Sequence, residues 1–242
     1  MPRPERRELL LRSARALSPT VRELGFRTAD GEAFDYVAGQ WLTLYVATDE
    51  GELQRSYSIA ASPDPVEPDR VELAVTFVEG GPASGALHAM SLGTRVDAGG
   101  PLGFFTLDGV PPEAPVVLVG TGTGVAPLRA MLQAELRRSP VEGPPITLLF
   151  GCRTPEDILY REELEALAAA HERFHYASTL SRAAGDWPGR TGYVQTHLGE
   201  HCAGPESHVF ICGLSKMVKD VRRLLKADFG YDRSRIHTER YD

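Results

Sequence analysis

The 242-residue sequence has few cysteines, no long apolar run and no excess of positive charge. Its three cysteines, Cys152, Cys202 and Cys212, are widely spaced, so no disulfide framework is expected and a reducing cytoplasm suits them. Three thiolates are also too few for an iron–sulfur cluster held by the usual set of four cysteines. We therefore expect no such cluster on this chain.

The short apolar segments argue against a membrane-spanning protein, and the negative net charge argues against a nucleic-acid-binding protein. No apolar segment approaches the roughly 20 residues that a membrane-spanning helix needs. The formal net charge of -7 does not favour binding to nucleic acid or to an anionic membrane surface. Near the start, Arg12 and Arg15 interrupt a short apolar stretch, so no secretory signal is predicted. We expect a cytoplasmic protein with no membrane span and no nucleic-acid partner.

The first part of the chain is rich in short β-type segments. Apolar residues make up 42% of the sequence and charged residues 24%, which is typical of a globular protein with a substantial core. Short strands separated by turn residues predict an antiparallel barrel or sandwich. The predicted strands are Leu24–Arg27, Trp41–Val46, Ser56–Ala60, Val71–Phe77 and Phe104–Leu107, with one helix at Ser84–Met90.

Beyond the turn-rich residues 108–115, strands and helices alternate, which predicts a parallel sheet covered by helices on both faces. The predicted strands are Pro115–Val119, Ile146–Phe150, Phe174–Ser178 and Val209–Cys212. The predicted helices are Ala126–Arg137, Tyr160–His171, Val194–Leu198 and Lys216–Phe229. The expected fold is therefore an antiparallel β-barrel domain at residues 1–108 followed by a doubly wound α/β domain at residues 115–242.

A candidate phosphate loop lies at Val116–Pro127, where a buried strand runs through glycines directly into a helix. Gly122 and Gly124 allow the backbone to approach a pyrophosphate, and the helix N-terminus offers N–H groups. Pro127 replaces the third glycine of the usual dinucleotide fingerprint, and proline suits a first helical turn. Taken alone, this loop is as consistent with a tight turn as with a phosphate site.

Arginine follows the second α/β strand, where NAD-binding folds usually have an acidic residue for the ribose. Arg153 follows that strand directly, and Ser181, Arg182 and Arg190 come later. Guanidinium groups bind phosphate through paired hydrogen bonds. These residues predict a site for a phosphate-bearing dinucleotide, with solvated loop arginines as the alternative.

The β-rich part contains two further candidate phosphate contacts. In Arg55-Ser56-Tyr57-Ser58, an arginine on a strand can bind phosphate while an aromatic ring lies beside a flat ligand; an edge strand with a salt bridge is the alternative. The glycine-rich residues 80–85 open the short helix and offer a second anion site. Two glycine-rich helix starts fit two phosphate-bearing ligands better than one.

Eight motifs follow one another along nearly the whole chain, namely RSYS, GGPASGAL, GPLGFF, GTGTGVAP, FGCRTPEDILYREEL, TLSR with GRTGYV, ICGL and ERYD. This ordered set resembles the ferredoxin–NADP reductase family. The family's fold, a flavin-binding antiparallel barrel followed by a nicotinamide-binding α/β domain, agrees with the two parts described above. The resemblance implies an FAD-dependent oxidoreductase that transfers electrons between NAD(P)H, with NADPH favoured, and a separate one-electron carrier such as ferredoxin or flavodoxin.

The resemblance also implies roles for the residues that match the flavin-binding motifs. Arg55 would hold the flavin phosphate, Tyr57 would lie against the isoalloxazine and ribityl chain, and Ser58 would sit near flavin N5. The FAD pyrophosphate would bind the amides around Gly81, Ala83 and Ser84.

On the nicotinamide side, the resemblance implies a pyrophosphate site, a 2′-phosphate site and a nicotinamide site. The pyrophosphate would lie over Gly122, Thr123 and Gly124. Positions that take the 2′-phosphate in NADP-using members are matched by Ser181, Arg182 and Arg190, with Arg153 nearby. Cys212 and Gly213 would border the nicotinamide, with Glu239 and Tyr241 closing the site. The predicted catalytic set is Ser58, Cys212, Glu239 and Tyr241, and no metal site is predicted.

Two departures from the family pattern leave alternatives open. In plant-type members the aromatic ring is the last residue, whereas here Asp242 follows Tyr241. The segment 186–193 resembles oxygenase-reductase members, many of which use NADH. The alternatives are an NADH-dependent reductase component of an oxygenase system, an NAD(P)H:flavin reductase, and a non-catalytic binding subunit. Tyr57 argues against the flavin reductase. Cys212 and Glu239 argue against the non-catalytic binding subunit.

The last predicted helix is amphipathic at about 100° per residue. One side is apolar and the other almost purely basic, the basic residues being Lys216, Lys219, Arg222, Arg223 and Lys226. The sharper interpretation is a docking face for an acidic electron carrier, because a local basic patch can steer an anionic partner to a chain of net charge -7. A solvated surface is the alternative.

Overall fold

The computed structural model describes residues 5–202 and 204–241. The chain divides into two compact units. The first contains the residues up to Thr106 together with Arg129–Ala134, and the second contains Leu107–Leu128 and the residues from Glu135 onward. Asp242, which follows Tyr241 at the end of the sequence, lies outside the described residues.

The first unit is built on a six-stranded antiparallel sheet with strand order β4-β3-β6-β1-β2-β5. A bridge between Ile59 and Leu73 brings its two edges together, so the sheet curls into a barrel. The strands are β1 Arg6–Ala16, β2 Val21–Thr28, β3 Trp41–Thr48, β4 Gly51–Ser58, β5 Arg70–Thr76 and β6 Arg95–Leu102, with helix α1 at Pro82–Ala89 between the last two.

Side chains at alternating positions along these strands fill the barrel interior. Leu9 and Leu11 on β1, Leu24 and Phe26 on β2 and Leu73 on β5 are fully buried in one apolar cluster. Side chains two residues apart on a strand lie on the same face of the sheet. Burial of one such side chain contributes about 1.5–3 kcal/mol, so this interior fixes the strands that carry the candidate site.

The second unit is a six-stranded sheet with order β10-β9-β8-β7-β11-β12, in which every neighbouring pair is parallel. Its strands are β7 Val116–Thr121, β8 Ile146–Cys152, β9 Phe174–Leu180, β10 Arg190–Thr191, β11 His208–Leu214 and β12 Ile236–Tyr241. The helices of this part of the chain are α2 Val125–Arg138, of which Arg129–Ala134 is grouped with the first unit, α3 Arg161–Ala170, α4 Leu198–His201 and α5 Ser215–Ala227. The predicted fold class is confirmed.

Strand order reverses at β7, since the chain runs outward to β8, β9 and β10 and then returns to place β11 on the other side of β7. Ligands of open α/β sheets bind at such a switch point, outside the carboxyl ends of the strands. The glycine turn after β7 and the end of β11 therefore lie at the edge of the sheet where a dinucleotide is expected.

One predicted strand is wrong, and four observed strands are not predicted. No strand covers Phe104–Leu107, and the Phe104 side chain is fully exposed. The strand in this region is β6, whose Gly99-Gly100-Pro101 sequence has low β propensity but which pairs with both β1 and β3. Strands β1, β10 and β12 are likewise absent from the sequence prediction, because pairing with neighbouring strands, not local pattern, determines them.

The predicted short helix Val194–Leu198 is a 3-10 turn at Val194–His197 that continues into α4. Among the described residues, no helix is long and apolar enough to cross a membrane.

Candidate functional site

The glycine turn after β7 packs against the end of β11. The chain leaves β7 at Thr121 and passes through a 3-10 turn, Gly122–Gly124, directly into α2. Gly122 has a φ of 54°, a left-handed conformation that favours glycine. A Cβ on Gly124 would lie 2.3 Å from the carbonyl oxygen of Cys212. Only glycine at position 124 therefore allows the predicted pyrophosphate turn to lie this close to Cys212.

Three of the four predicted catalytic residues come together in the second unit. Cys212 on β11 lies opposite Glu239 on the parallel strand β12, and Leu214 lies opposite Tyr241. The Cys212 side chain is fully buried. Burial, and next the charge of Glu239, raise the pKa of this thiol far above neutrality, although a hydrogen bond with Tyr241 acts in the opposite direction. Cys212 therefore remains a neutral thiol at physiological pH.

The residues predicted to hold a 2′-phosphate lie at the carboxyl ends of β8 and β9. The Ser181 N–H donates to the Cys152 carbonyl at 2.9 Å, and the Arg182 N–H donates to the Arg153 carbonyl at 2.8 Å. These two bonds hold the segment after β9 beside the segment after β8. Arg153, Ser181 and Arg182 are all exposed. Their side chains are accessible to a phosphate group in solution.

Arg190, the remaining predicted phosphate ligand, lies on β10 opposite Thr179 of β9. Its Nε donates to Oε2 of Glu200 at 3.2 Å. The hydrogen bond from Arg190 lowers the pKa of the Glu200 carboxyl below its usual value. Glu200 is therefore ionised at neutral pH and partly offsets the charge of Arg190.

The RSYS motif forms the end of edge strand β4. Arg55 is exposed, Tyr57 is half-buried and Ser58 is buried. Arg55 and Tyr57 are two residues apart and so share one face of the strand. Burial raises the pKa of the Tyr57 hydroxyl, so this ring presents a neutral aromatic face beside a cation.

The glycine-rich segment before α1 forms an uncapped helix start. Gly81 is the N-cap residue, with no side-chain cap and no acidic residue in the first turn. The Ser84 hydroxyl is buried and accepts from the Val78 N–H at 3.1 Å. The Gly81 N–H donates to the Val78 carbonyl at 2.9 Å. The Gly81 amide thus holds the turn, and the first-turn amides of Ala83 and Ser84 face no intrahelical acceptor.

Comparison with known proteins identifies the family of each of the two parts of the chain. Residues 8–107 match the family described as oxidoreductase FAD-binding domain, and residues 118–223 match the oxidoreductase NAD-binding domain. Ferredoxin–NADP reductase B of Sorangium cellulosum is 49% identical over 242 residues, which cover 97% of this chain and 97% of that protein. The chain belongs to the ferredoxin–NADP reductase family. The resemblance inferred from the eight motifs is confirmed.

Two other similar proteins show the range of the family. The glycine betaine monooxygenase reductase subunit of Pseudomonas aeruginosa is 28% identical over 96% of this chain and 64% of its own length. The FAD/NAD-binding domain of a nitric oxide dioxygenase from Vibrio cholerae is 25% identical, covers 97% of this chain and 98% of that one, and superposes with a TM-score of 0.85. This reductase is thus an FAD- and NAD(P)-dependent oxidoreductase.

The side chains and backbone of each unit fit the cofactor expected there. In the first unit, the uncapped start of α1 carries no acidic residue that would repel a pyrophosphate. In the second, the buried Oγ1 of Thr121 has no hydrogen-bond partner among the described residues. A buried hydroxyl is normally hydrogen-bonded, so a polar ligand beside the Gly122–Gly124 turn would satisfy it. The residues therefore fit FAD and a nicotinamide dinucleotide.

Thr121 and Glu200 are two candidate site residues that the sequence alone did not indicate. The signal for Thr121 is its position immediately before the glycine turn, at the carboxyl end of a buried strand. Glu200 has no such signal, because its contact with Arg190 depends on how α4 is placed beside β10. Within residues 5–202 and 204–241, no group of three or more His, Cys, Asp or Glu side chains could hold a metal ion.

Proposed function

We propose that this reductase prefers NADPH to NADH and exchanges electrons with an acidic one-electron carrier of the ferredoxin or flavodoxin type. The observation that carries the cofactor preference is the cluster of arginines at the carboxyl ends of β8 and β9. The ferredoxin–NADP reductase B of Sorangium cellulosum, 49% identical, supports both parts. We also propose the domain division 1–108 and 115–242, which the two family matches at 8–107 and 118–223 support, and a cytoplasmic location.

FAD, when bound, accepts an electron pair from reduced nicotinamide and releases electrons one at a time. We assign its phosphates to Arg55 and to the first-turn amides of Ala83 and Ser84, with Gly81 shaping that turn. Tyr57 would supply an aromatic face for the flavin ring. Ser58 is buried at the end of β4, where its hydroxyl would be held in one orientation toward the ring.

The residues of the second unit would bind and orient the nicotinamide dinucleotide. Gly122, Thr123 and Gly124 would take the pyrophosphate, and the start of α2 would add its N–H groups and its positive dipole. Cys212, buried and neutral, and Gly213 would border the nicotinamide ring without placing a charge against it. Glu239 and Tyr241 would close this side of the site and exclude water.

The preference for NADPH follows from charge. Arg153 directly follows β8, where an NAD-binding fold would usually have a carboxylate. Two acidic residues follow at Glu156 and Asp157, and Oδ2 of Asp157 accepts from the Thr154 N–H at 3.0 Å. Arg153, Ser181, Arg182 and Arg190 would together form a basic surface at which a 2′-phosphate is favoured.

The double substitution Arg182→Ala with Arg190→Ala is expected to raise the KM for NADPH about tenfold or more and to leave the KM for NADH nearly unchanged. Hydrogen bonds to charged groups are the strong ones, and only NADPH carries the 2′-phosphate. The measurement is ferricyanide reduction with each nucleotide. The pair Arg222→Ala with Arg223→Ala removes two exposed arginines of α5 and serves as the control. Equal losses with both nucleotides would contradict the assignment.

Helix α5 supports the proposed exchange of electrons with an acidic carrier. Met217, Val218, Val221 and Leu225 are buried on one side of this helix. The five exposed residues on its basic face are Lys216, Lys219, Arg222, Arg223 and Lys226. Among the described residues, none of these five forms an ion pair with a carboxylate. An exposed basic face on a chain of net charge -7 suits an acidic carrier.

Charge reversal at Lys219→Glu and Arg223→Glu is expected to lower kcat/KM for ferredoxin or flavodoxin about tenfold or more at low salt, because steering acts on the association rate. Rising ionic strength should slow the unmodified protein in the same assay much more than it slows ferricyanide reduction. Flavin content should not change. Arg12→Glu with Arg233→Glu, two exposed arginines elsewhere, is the matched control. Carrier turnover that is flat with salt and indifferent to the first pair would place the docking site elsewhere.

An NADH-dependent reductase component of an oxygenase system is the second candidate. The ion pair between Arg190 and Glu200 favours it, because it reduces the charge available to a 2′-phosphate, and the glycine betaine monooxygenase reductase subunit is a relative. Wild-type preference for NADH would select this candidate. An NAD(P)H:flavin reductase would instead purify without bound FAD.

A further inference from the structure

Arg190 differs from the other two arginines of the predicted 2′-phosphate site. Its guanidinium forms an ion pair with Glu200 at 3.2 Å. Within residues 5–202 and 204–241, neither Arg153 nor Arg182 has a carboxylate within 4.0 Å of its guanidinium. One member of a basic cluster is therefore already bound to an anion supplied by the protein.

Glu200 lies on α4 between two histidines, His197 and His201. Its Oε1 lies 3.6 Å from Nδ1 of His197, and His201 Nε2 lies 3.9 Å from Oε2. The other ring nitrogen of His197, Nε2, is anchored 2.9 Å from the Thr191 carbonyl on β10. The His197 ring thus ties α4 to the strand that carries Arg190, which places the carboxylate beside the guanidinium.

The Arg190–Glu200 pair is solvated, with 41% of the arginine side chain and 58% of the glutamate side chain exposed. Solvent-exposed ion pairs are weak, so a phosphate dianion can replace the carboxylate. Glu200 nevertheless opposes that phosphate in two ways. It occupies the Nε donor of Arg190, and it places a like charge where the dianion would bind.

We propose that Glu200 is a specificity-determining residue of this reductase, which weakens recognition of the 2′-phosphate of NADP(H) by holding Arg190 and by repelling the phosphate. This inference rests on the proposed function, since it assigns the 2′-phosphate to the site that contains Arg190. Glu200 acts through Arg190 and does not contact the reacting atoms. Its removal strengthens binding only of nucleotides that carry a 2′-phosphate.

The test is calorimetric titration of the FAD-loaded protein with two fragments, 2′,5′-ADP and 5′-AMP, which differ by the 2′-phosphate. Glu200→Gln is expected to tighten 2′,5′-ADP binding about two- to fivefold, as befits a solvated pair, and to leave 5′-AMP unchanged. Glu172→Gln is the matched control, because it removes one exposed carboxylate just before the amino end of β9, the opposite end of that strand. In an Arg190→Ala background, Glu200→Gln should give a smaller effect.

Unchanged or weaker 2′,5′-ADP binding by Glu200→Gln, with a wild-type protein that prefers 2′,5′-ADP to 5′-AMP, would overturn the inference and leave the proposed function standing. Equal tightening of both fragments, or the same gain from Glu172→Gln, would also overturn it, because the effect would then be one of net charge. An undiminished gain in the Arg190→Ala background would refute action through Arg190. A wild-type protein with no preference for 2′,5′-ADP would remove the proposed NADPH preference itself.

Discussion

Replacement of Gly124 by alanine is expected to weaken NADPH binding on the order of a hundredfold, because the glycine turn would be displaced by about 1 Å. The added Cβ would meet the backbone of β11, at 2.3 Å from the Cys212 oxygen and 2.8 Å from the Gly213 nitrogen. Backbone atoms of a central strand cannot rotate away as a side chain can. The unfolding free energy should fall by about 1–3 kcal/mol, the usual cost of overpacking.

The measurements are NADPH titration of the FAD-loaded variant and its thermal unfolding. Gly185→Ala is the matched control in the same unit, since a Cβ there would meet nothing within 4 Å. Gly185→Ala should bind NADPH as the wild type does. Wild-type NADPH affinity in Gly124→Ala would show that the dinucleotide does not use this turn.

Arg55→Ala is expected to lose most of the bound flavin, with FAD affinity falling about tenfold or more, because a charge-assisted contact to phosphate is removed. The exposed position of Arg55 on β4 means that the barrel itself should fold as before. The measurement is the ratio of FAD to protein after purification, followed by the dissociation constant of reconstituted FAD.

Arg12→Ala provides the control for Arg55→Ala, because Arg12 is an exposed arginine on β1 of the same barrel. It should retain the wild-type flavin content. Full FAD occupancy in Arg55→Ala with unchanged affinity would remove Arg55 from the flavin site and leave the amides at the start of α1 as the phosphate contact.

The sequence alone predicts the elements whose local pattern and tertiary pairing agree. The apolar strands β7, β8, β9 and β11 alternate with amphipathic helices, and their predicted positions differ from the observed ones by one or two residues at most ends. Strand β6 could not be predicted in this way. Its glycines and proline argue against a strand locally, and its hydrogen bonds come from β1 and β3, which are far away in sequence.

The candidate sites likewise divide into features that the local sequence reveals and features that depend on tertiary pairing. Glycine turns at strand-to-helix junctions carry their signal in a few consecutive residues, so both phosphate sites could be proposed from the sequence. The proximity of Cys212 to Glu239 arises from the parallel pairing of β11 with β12, a strand that the local pattern does not reveal. The local sequence pattern does not place Glu239 at this site, and only the family resemblance predicted it there.

We expect this reductase to oxidise NADPH in preference to NADH through bound FAD. The most direct test mixes the purified yellow protein with each nucleotide under anaerobic conditions and follows the visible absorbance of the bound flavin. Both nucleotides should bleach the flavin, with NADPH giving the higher rate at low concentration. A protein that cannot be loaded with FAD, or whose flavin is bleached more efficiently by NADH than by NADPH, would contradict this account.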